Sequence, residues 1–292
     1  MKKLLIIIAA LLLLSGCVQE APADIAATTL PVYEFTVRLC GGTSLTVTRL
    51  VTESVSCLHD YSLNVRQVRA VENAGLIVIT GAGMEEFMED LLTGKDVIDS
   101  SAGIKLIECA EHHEHGHEDE NHEGHRHDVD SHIWLSPENA KTMASNICDA
   151  LCTRYPDLEQ QFRANLAQLT AEIDALDLYG KQQLTDLKCR ELVTFHDGFS
   201  YLAESFDLHI LKALEEESGA EASAAELKEL IELIRHHNLP AIFTERNGSV
   251  SAAGIISAET GADSHQLDMA MAGESWFDAM YRNIDTLKEA LG

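Results

Sequence analysis

A long amphipathic segment in the middle of the chain limits the folds that this sequence can adopt. Between Asp157 and Leu187, apolar residues recur at steps of three and four positions, with no proline and with Gly180 as the one glycine. This periodicity predicts a single helix of roughly 45 Å. A coiled-coil dimer is the alternative, but the pattern lasts only about four heptads and lacks ordered charged flanks. We therefore expect a rigid helix that packs between two parts of the fold.

Short apolar runs alternate with helical patterns on both sides of this segment. Such alternation is typical of parallel α/β units. The predicted strands are 45–51, 76–80, 104–108, 192–195, 241–244 and a short one ending at Leu267, and the predicted helices are 64–74, 84–92, 225–236, 249–260 and 275–291. The sequence therefore predicts an α/β fold in which one long rigid helix joins two parallel-sheet lobes.

The N-terminus indicates an exported protein. Lys2 and Lys3 precede an apolar run from Leu4 to Leu14, which is too short to span a bilayer as a stable helix and is typical of a signal peptide. The following Leu-Ser-Gly-Cys resembles a bacterial lipoprotein signal in which Cys17 becomes lipidated. The alternative is an ordinary secretory signal with a chance cysteine. We expect an extracytoplasmic protein held by a lipid on Cys17, in the periplasm or on the outer face of the cytoplasmic membrane.

Composition sets the expected division of the chain and excludes some partners. The 292 residues exceed the usual size of one domain. A net charge of −27 repels nucleic acid and anionic membranes. The six cysteines other than Cys17 permit disulfides outside the cytoplasm, but their pairing cannot be read from the sequence. The predicted segments are a signal peptide 1–17, a tether 18–28, an N-terminal lobe 29–153 with a His-rich loop 109–131, a linking helix 154–188 and a C-terminal lobe 189–292.

Half of the histidines fall in one polar tract. The tract has no apolar periodicity, so it cannot form a core and should be a loop. Imidazole binds borderline metals, so the tract is a candidate auxiliary metal site that holds several ions weakly. A solvated loop without a metal role is the alternative. The histidines of the tract are His112, His113, His115, His117, His122, His125 and His127.

The same tract matches the zinc-protease pattern H-E-x-x-H. The match runs from His113 through Glu114 to His117. Protease chemistry requires both histidines on one face of a stable helix. The flanking His, Glu and Gly residues do not favour such a helix, so we interpret the match as a consequence of composition.

Four further residues lie where predicted strands turn into helices. In α/β sheets, ligands bind at the edge formed by the carboxyl ends of the strands. Ser136 and Pro137 predict a capped start for the helix that follows His132. Each position taken alone is more often a helix cap or a core residue. Four such positions spread over both lobes, however, favour a shared binding site. The four candidates are His59, His132, His196 and Asp268.

Nearly the whole chain after the signal resembles the metal-binding lipoproteins of ABC-type importers, in the cluster that serves zinc and manganese. A His-rich insertion before the second ligand motif is typical of the zinc-type members. The resemblance implies that one metal ion lies between two lobes, bound by His59, His132, His196 and, as a carboxylate ligand, Asp268. The matching motifs are His59-Asp60-Tyr61, Ile77 to Phe87, Asp130 to Pro137, Thr194 to Asp197, Ser223 to Glu245 and Leu267-Asp268.

This ligand set suits zinc. Three neutral imidazoles and one oxygen fit a four-coordinate borderline ion, whereas manganese favours more carboxylates. As a hypothesis, one or more of Asp60, Asp130 and Asp197 fix the tautomer of a neighbouring imidazole. Glu245 also ends a predicted strand, and we expect it to shape the cleft.

The predicted function is therefore a zinc-binding protein, not an enzyme, that carries Zn²⁺ as cargo to a membrane permease. We expect it to be a monomer that binds no nucleic acid. The alternatives are a protein of the same transporter class that binds manganese or another divalent metal, and a zinc-buffering surface adhesin that uses only the His tract. A zinc hydrolase of the cell envelope is a third alternative, but it would need an open coordination position and a general base.

Overall fold

The predicted fold class is confirmed: two parallel-sheet α/β lobes are joined by a long helix. The structure is a computed structural model. It describes residues 23–53, 58, 61–108, 129–215, 223–246 and 250–292. None of the helices in these ranges is both long enough and apolar enough to cross a membrane.

The N-terminal lobe contains a four-stranded sheet. Its strands are all parallel, in the order β2-β1-β3-β4. The order changes direction between β1 and β3. The elements are β1 (Ile25–Ala27), α1 (Leu30–Leu39), β2 (Val47–Arg49), α2 (Val65–Asn73), β3 (Leu76–Ile79), α3 (Glu89–Leu92), β4 (Val97–Asp99) and α4 (Pro137–Arg154).

Two boundaries of this lobe differ from the sequence-based prediction. β1 lies inside the segment 18–28 that we assigned to a tether, and all of its residues are buried. It is a central strand with a partner on each side, so burial and pairing order residues 25–27. The predicted strand 104–108 is not a strand, because β4 occupies the sheet position beside β3. Only Glu108 of that segment forms a β-bridge, with Val129.

The linking helix α5 spans Glu159–Gln183 and follows a 3-10 turn at Pro156–Leu158. Its 25 residues correspond to about 37 Å, somewhat less than the periodicity predicted. Gly180 lies inside the helix, where a Cβ atom would collide with the ring of Phe206. The glycine therefore allows close packing of α5 against the C-terminal lobe.

The C-terminal lobe repeats the plan of the first. Its parallel strands have the order β6-β5-β7-β8, and the order changes direction between β5 and β7. Its elements are β5 (Glu191–His196), α6 (Ser200–Ser205), β6 (His209–Glu215), α7 (Ala224–His237), β7 (Ala241–Glu245), α8 (Val250–Thr260), β8 (Asp263–Leu267) and α9 (Trp276–Leu291).

One apolar core runs through both lobes and α5. It extends from Ile25 in β1 to Leu291 in α9. Polar contacts join the lobes as well: Glu34 accepts a hydrogen bond from the Trp276 backbone amide at 2.5 Å and thereby caps α9. Arg49 donates to the Gly273 carbonyl at 2.8 Å. The lobes are therefore firmly packed against each other.

A buried carboxylate stabilises the turn after β3. Glu85 accepts hydrogen bonds from the Thr28 hydroxyl at 2.6 Å and from the backbone amides of Thr80 and Gly81 at 2.7 and 2.9 Å. Burial raises the pKa of Glu85, and the three donors oppose that rise. These bonds fix the carboxyl end of β3, the strand next to β1.

The described cysteines are not joined in disulfides. Cys40, Cys148, Cys152 and Cys189 are all free thiols. The sulfur atoms of Cys148 and Cys152 are 3.9 Å apart on one face of α4. Burial raises the pKa of Cys148 to about 12, so its thiol stays protonated at neutral pH.

Candidate metal centre

The topology of the C-terminal sheet brings candidate residues to one edge. β5 and β7 are neighbours, with Thr194 paired to Phe243. His196 is the last residue of β5 and Glu245 the last residue of β7. Because parallel strands end at the same edge, the two side chains meet where the strand order changes direction.

His132 approaches from the N-terminal lobe on a short turn that precedes α4. Asp130 organises this turn: its Oδ1 accepts a hydrogen bond from the His132 backbone amide at 2.8 Å and lies 2.8 Å from the ring Nδ1. The backbone amide of Asp130 donates to the Ile107 carbonyl, and its carbonyl accepts from the Tyr201 hydroxyl. Tyr201 belongs to α6, so residues of both lobes hold Asp130.

The helix after His132 starts as predicted. Ser136 is the N-cap of α4, its hydroxyl accepts a hydrogen bond from the Asn139 amide, and Pro137 is the first helical residue. The cap fixes the direction in which the chain leaves the histidine.

The two histidines meet between the lobes. Nε2 of His132 lies 3.4 Å from Nε2 of His196. Both side chains are almost fully buried, with relative exposures of 3% and 1%. The other ring nitrogen of His196, Nδ1, lies 3.3 Å from Oε1 of Glu245. Each imidazole therefore has a carboxylate beside its Nδ1 atom.

This arrangement prepares both Nε2 atoms to bind a metal. A carboxylate beside Nδ1 favours the tautomer that carries its proton there, which leaves the lone pair on Nε2. Two such lone pairs repel unless a cation or a proton lies between them. Ligand nitrogens of a tetrahedral zinc ion, each about 2.0–2.1 Å from the metal, are about 3.3–3.4 Å apart. The observed separation of 3.4 Å matches that spacing.

Small and apolar groups close the space around the pair. A Cβ atom on Gly198 would lie 2.8 Å from His196 Cδ2, 2.8 Å from Met269 Cε and 2.9 Å from His132 Cε1. The indole of Trp134 donates to the Met269 carbonyl at 2.7 Å. The pair therefore lies in a packed, buried environment, where electrostatic interactions are strong.

Asp268 immediately precedes Met269, whose methyl group lies near the histidine pair. The carboxylate of Asp268, however, contacts other groups. Its Oδ2 is 3.0 Å from Arg282 Nη2 and 3.2 Å from Arg246 Nη1. Within the described ranges, no group of three or more His, Cys, Asp or Glu residues is arranged to hold a metal ion. The role of Asp268 as a metal ligand stays a prediction.

The other predicted site residues lie outside the described ranges. These are His59, the seven histidines of the tract and the lipidation residue Cys17. The structure therefore brings together two of the four predicted ligands, His132 and His196. Of the carboxylates proposed to orient imidazoles, Asp130 contacts His132 as hypothesised, Asp60 lies outside the described ranges, and Asp197 stays a prediction.

Sequence reasoning missed the role of Glu245. We expected it only to shape the cleft, whereas it stands behind the His196 ring. The available signal was its place at the end of a strand, as for His196. Strand order was also needed, because it makes β7 the neighbour of β5.

The two carboxylates allow a direct test. We expect Asp130→Asn and Glu245→Gln each to weaken zinc binding about 10- to 100-fold, because the amides no longer stabilise the metal-binding form of the imidazole. Zinc dissociation constants from competition with a chromophoric chelator measure the effect. Asp207→Asn, which changes a highly exposed carboxylate in the lobe that carries Glu245, is the matched control. If a variant keeps native zinc affinity, the carboxylate that it lacks does not support metal binding.

Two α/β lobes with a buried histidine pair between them form the architecture of a two-lobed binding protein. Residues 25–290 match the family of the periplasmic zinc-uptake complex component A, ZnuA. The chain belongs to the ZnuA family. The predicted resemblance is thereby confirmed, and the family is one of uptake-complex components rather than enzymes.

Known relatives agree with this assignment. The zinc-binding lipoprotein AdcA of Streptococcus pneumoniae serotype 4 is 31% identical over 99% of this chain, which spans only 61% of the AdcA sequence. A crystal structure of ZnuA is similar with a TM-score of 0.79 and 30% identity, covering 92% of this chain and 100% of that one. The Zn(II)-bound ZnuA-like domain of Streptococcus pneumoniae AdcA has a TM-score of 0.76 and 27% identity, covering 92% and 99%.

Proposed function

We propose that this protein captures Zn²⁺ as cargo between its lobes and delivers it to an ABC-type importer. The observation that carries the proposal is the 3.4 Å separation of the Nε2 atoms of His132 and His196, which matches tetrahedral zinc. His59, in the segment after β2, and Asp268 are the proposed remaining ligands. No bond of the cargo needs to be broken, so the site requires no general base.

The proposed metal follows from ligand chemistry and from the relatives. Buried neutral imidazoles favour zinc over manganese, which prefers more oxygen ligands. The AdcA domain that shares this fold is Zn(II)-bound. A manganese-binding protein of the same class is the alternative that a metal competition decides.

The proposed location and partners follow from the family and from the N-terminus. The matched family is that of a periplasmic component of a zinc-uptake complex, and we propose that this chain meets a membrane permease outside the cytoplasm. We propose that a lipid on Cys17 anchors the chain and that it works as a monomer. The His tract then serves as an auxiliary site that gathers zinc.

Competitive metal titration tests this function. The chain from residue 18 onward is stripped of metal and titrated with Zn²⁺ and Mn²⁺, with and without residues 112–127, using calorimetry and metal analysis. We expect one tight zinc ion that survives the deletion and that manganese does not displace. Loss of all tight binding with the tract would indicate a zinc buffer, and a preference for manganese would give the site a different cargo.

A further inference from the structure

The carboxylate of Asp268, the predicted fourth ligand, is engaged by other groups. Oδ2 contacts the guanidinium groups of Arg246 and Arg282, while Oδ1 accepts a hydrogen bond from the Ala270 amide at 2.9 Å. Both oxygen atoms of the carboxylate are therefore engaged. The next residue, Met269, brings its methyl group against Gly198, beside both histidine rings.

The backbone of Asp268 is anchored. The Asn283 side chain accepts a hydrogen bond from the Asp268 amide at 2.8 Å and donates to the Asp268 carbonyl at 2.7 Å. Asn283 itself is buried. Because both backbone groups are held, the movement open to Asp268 is rotation of its side chain.

The two arginines hold the carboxylate only moderately. Their side chains are 63% and 54% exposed, whereas that of Asp268 is 14% exposed. An ion pair with an exposed partner shifts the equilibrium between the held and the released carboxylate by no more than about fivefold. A surface cavity of about 160 Å³, lined by Arg246, Arg282 and Thr286 among others, leaves the guanidinium groups room to withdraw.

We propose that Arg246 and Arg282 are positioning residues that keep the Asp268 carboxylate from binding the metal and so lower the zinc affinity of the centre. Zinc and the arginine pair compete for one carboxylate, and zinc gains it as a ligand only by releasing both cations. The arginines thus set the affinity at a level from which the ion can still be released. This inference rests on the proposed zinc function.

A double-mutant cycle in zinc affinity tests the competition. Four proteins are compared at pH 7 in one buffer: the native chain, R246Q/R282Q, D268N and the triple variant. We expect R246Q/R282Q to bind zinc two- to tenfold more tightly, because its carboxylate is released. In the D268N background, the same arginine changes should shift the affinity by less than twofold.

Two outcomes would overturn the inference. If R246Q/R282Q binds zinc no more tightly than the native chain, the arginines do not compete for Asp268. If the gain is equal in the D268N background, it is a general effect of removing positive charge. Arg235→Gln is the matched control, because Arg235 is a similarly exposed arginine of the same lobe paired with Glu259; it should leave zinc affinity unchanged.

The proposed function and this inference fail in different ways. A native chain that binds no zinc tightly, or whose binding is indifferent to His132→Ala, contradicts the function itself. Tight, histidine-dependent binding that does not respond to the arginine changes contradicts only the competition.

Discussion

Replacing His132 or His196 by alanine is expected to weaken zinc binding by two to three orders of magnitude. Zinc affinities of roughly 10–16 kcal/mol in four-ligand sites correspond to about 2.5–4 kcal/mol per ligand, and each 1.4 kcal/mol is tenfold in the dissociation constant. Both rings are buried with Nε2 toward the partner ring, so water has little access to replace a lost ligand.

The measurement is a competition titration with a chromophoric chelator at pH 7. Both alanine variants are made in a chain without residues 112–127, so that weak sites in the tract do not mask the loss. His209→Ala is the matched control, because His209 is an exposed histidine at the start of β6, in the lobe that carries His196. Native affinity in either variant would show that the pair is not the centre.

Replacing Trp134 by alanine is expected to lower the free energy of unfolding by about 3–5 kcal/mol, the range for a large aromatic side chain lost from a core. Trp134 is fully buried, and its indole donates to the Met269 carbonyl at 2.7 Å. The Trp276 indole donates to the Trp134 carbonyl at 3.0 Å. The two indoles thus connect the turn that carries His132 to the segment after β8 and to α9.

Urea unfolding of the metal-free chain measures this effect, since bound metal would add its own stabilisation. Trp134→Phe separates the two contributions: it keeps most of the ring and loses the bond to Met269, so we expect a cost of about 1–3 kcal/mol. Leu178→Ala, at an exposed position of α5, should stay within about 0.5 kcal/mol of the native chain. A Trp134→Ala variant as stable as this control would contradict the proposed role.

Elements with strong local signals were predicted well. The helices α5, α7 and α9 agree with the apolar periodicity to within a few residues. Their signals are local: Ser223 and Glu226, for example, form a reciprocal capping box at the start of α7. Such contacts involve residues three or four positions apart, so they can be read without knowledge of the fold.

Elements that depend on distant partners were not predicted. β1 is only three residues long, and its place in the centre of a sheet comes from pairing with β2 and β3. We assigned no element to α1, whose Val32, Thr36 and Val37 disfavour a helix; its burial against the sheet overrides that preference. β6 forms because it pairs with β5 along the sheet edge.

The sequence by itself determined the α/β class, the linking helix and the candidate positions at strand ends, because these depend on periodicity and on residue type. Only the tertiary structure decided that His132 and His196, 64 positions apart, lie 3.4 Å from each other. It also decided that Glu245 stands behind His196 and that Asp268 contacts two arginines. The physical reason is that these contacts depend on strand order and on the packing of the lobes, which are set by the summed burial of a core that spans the whole fold.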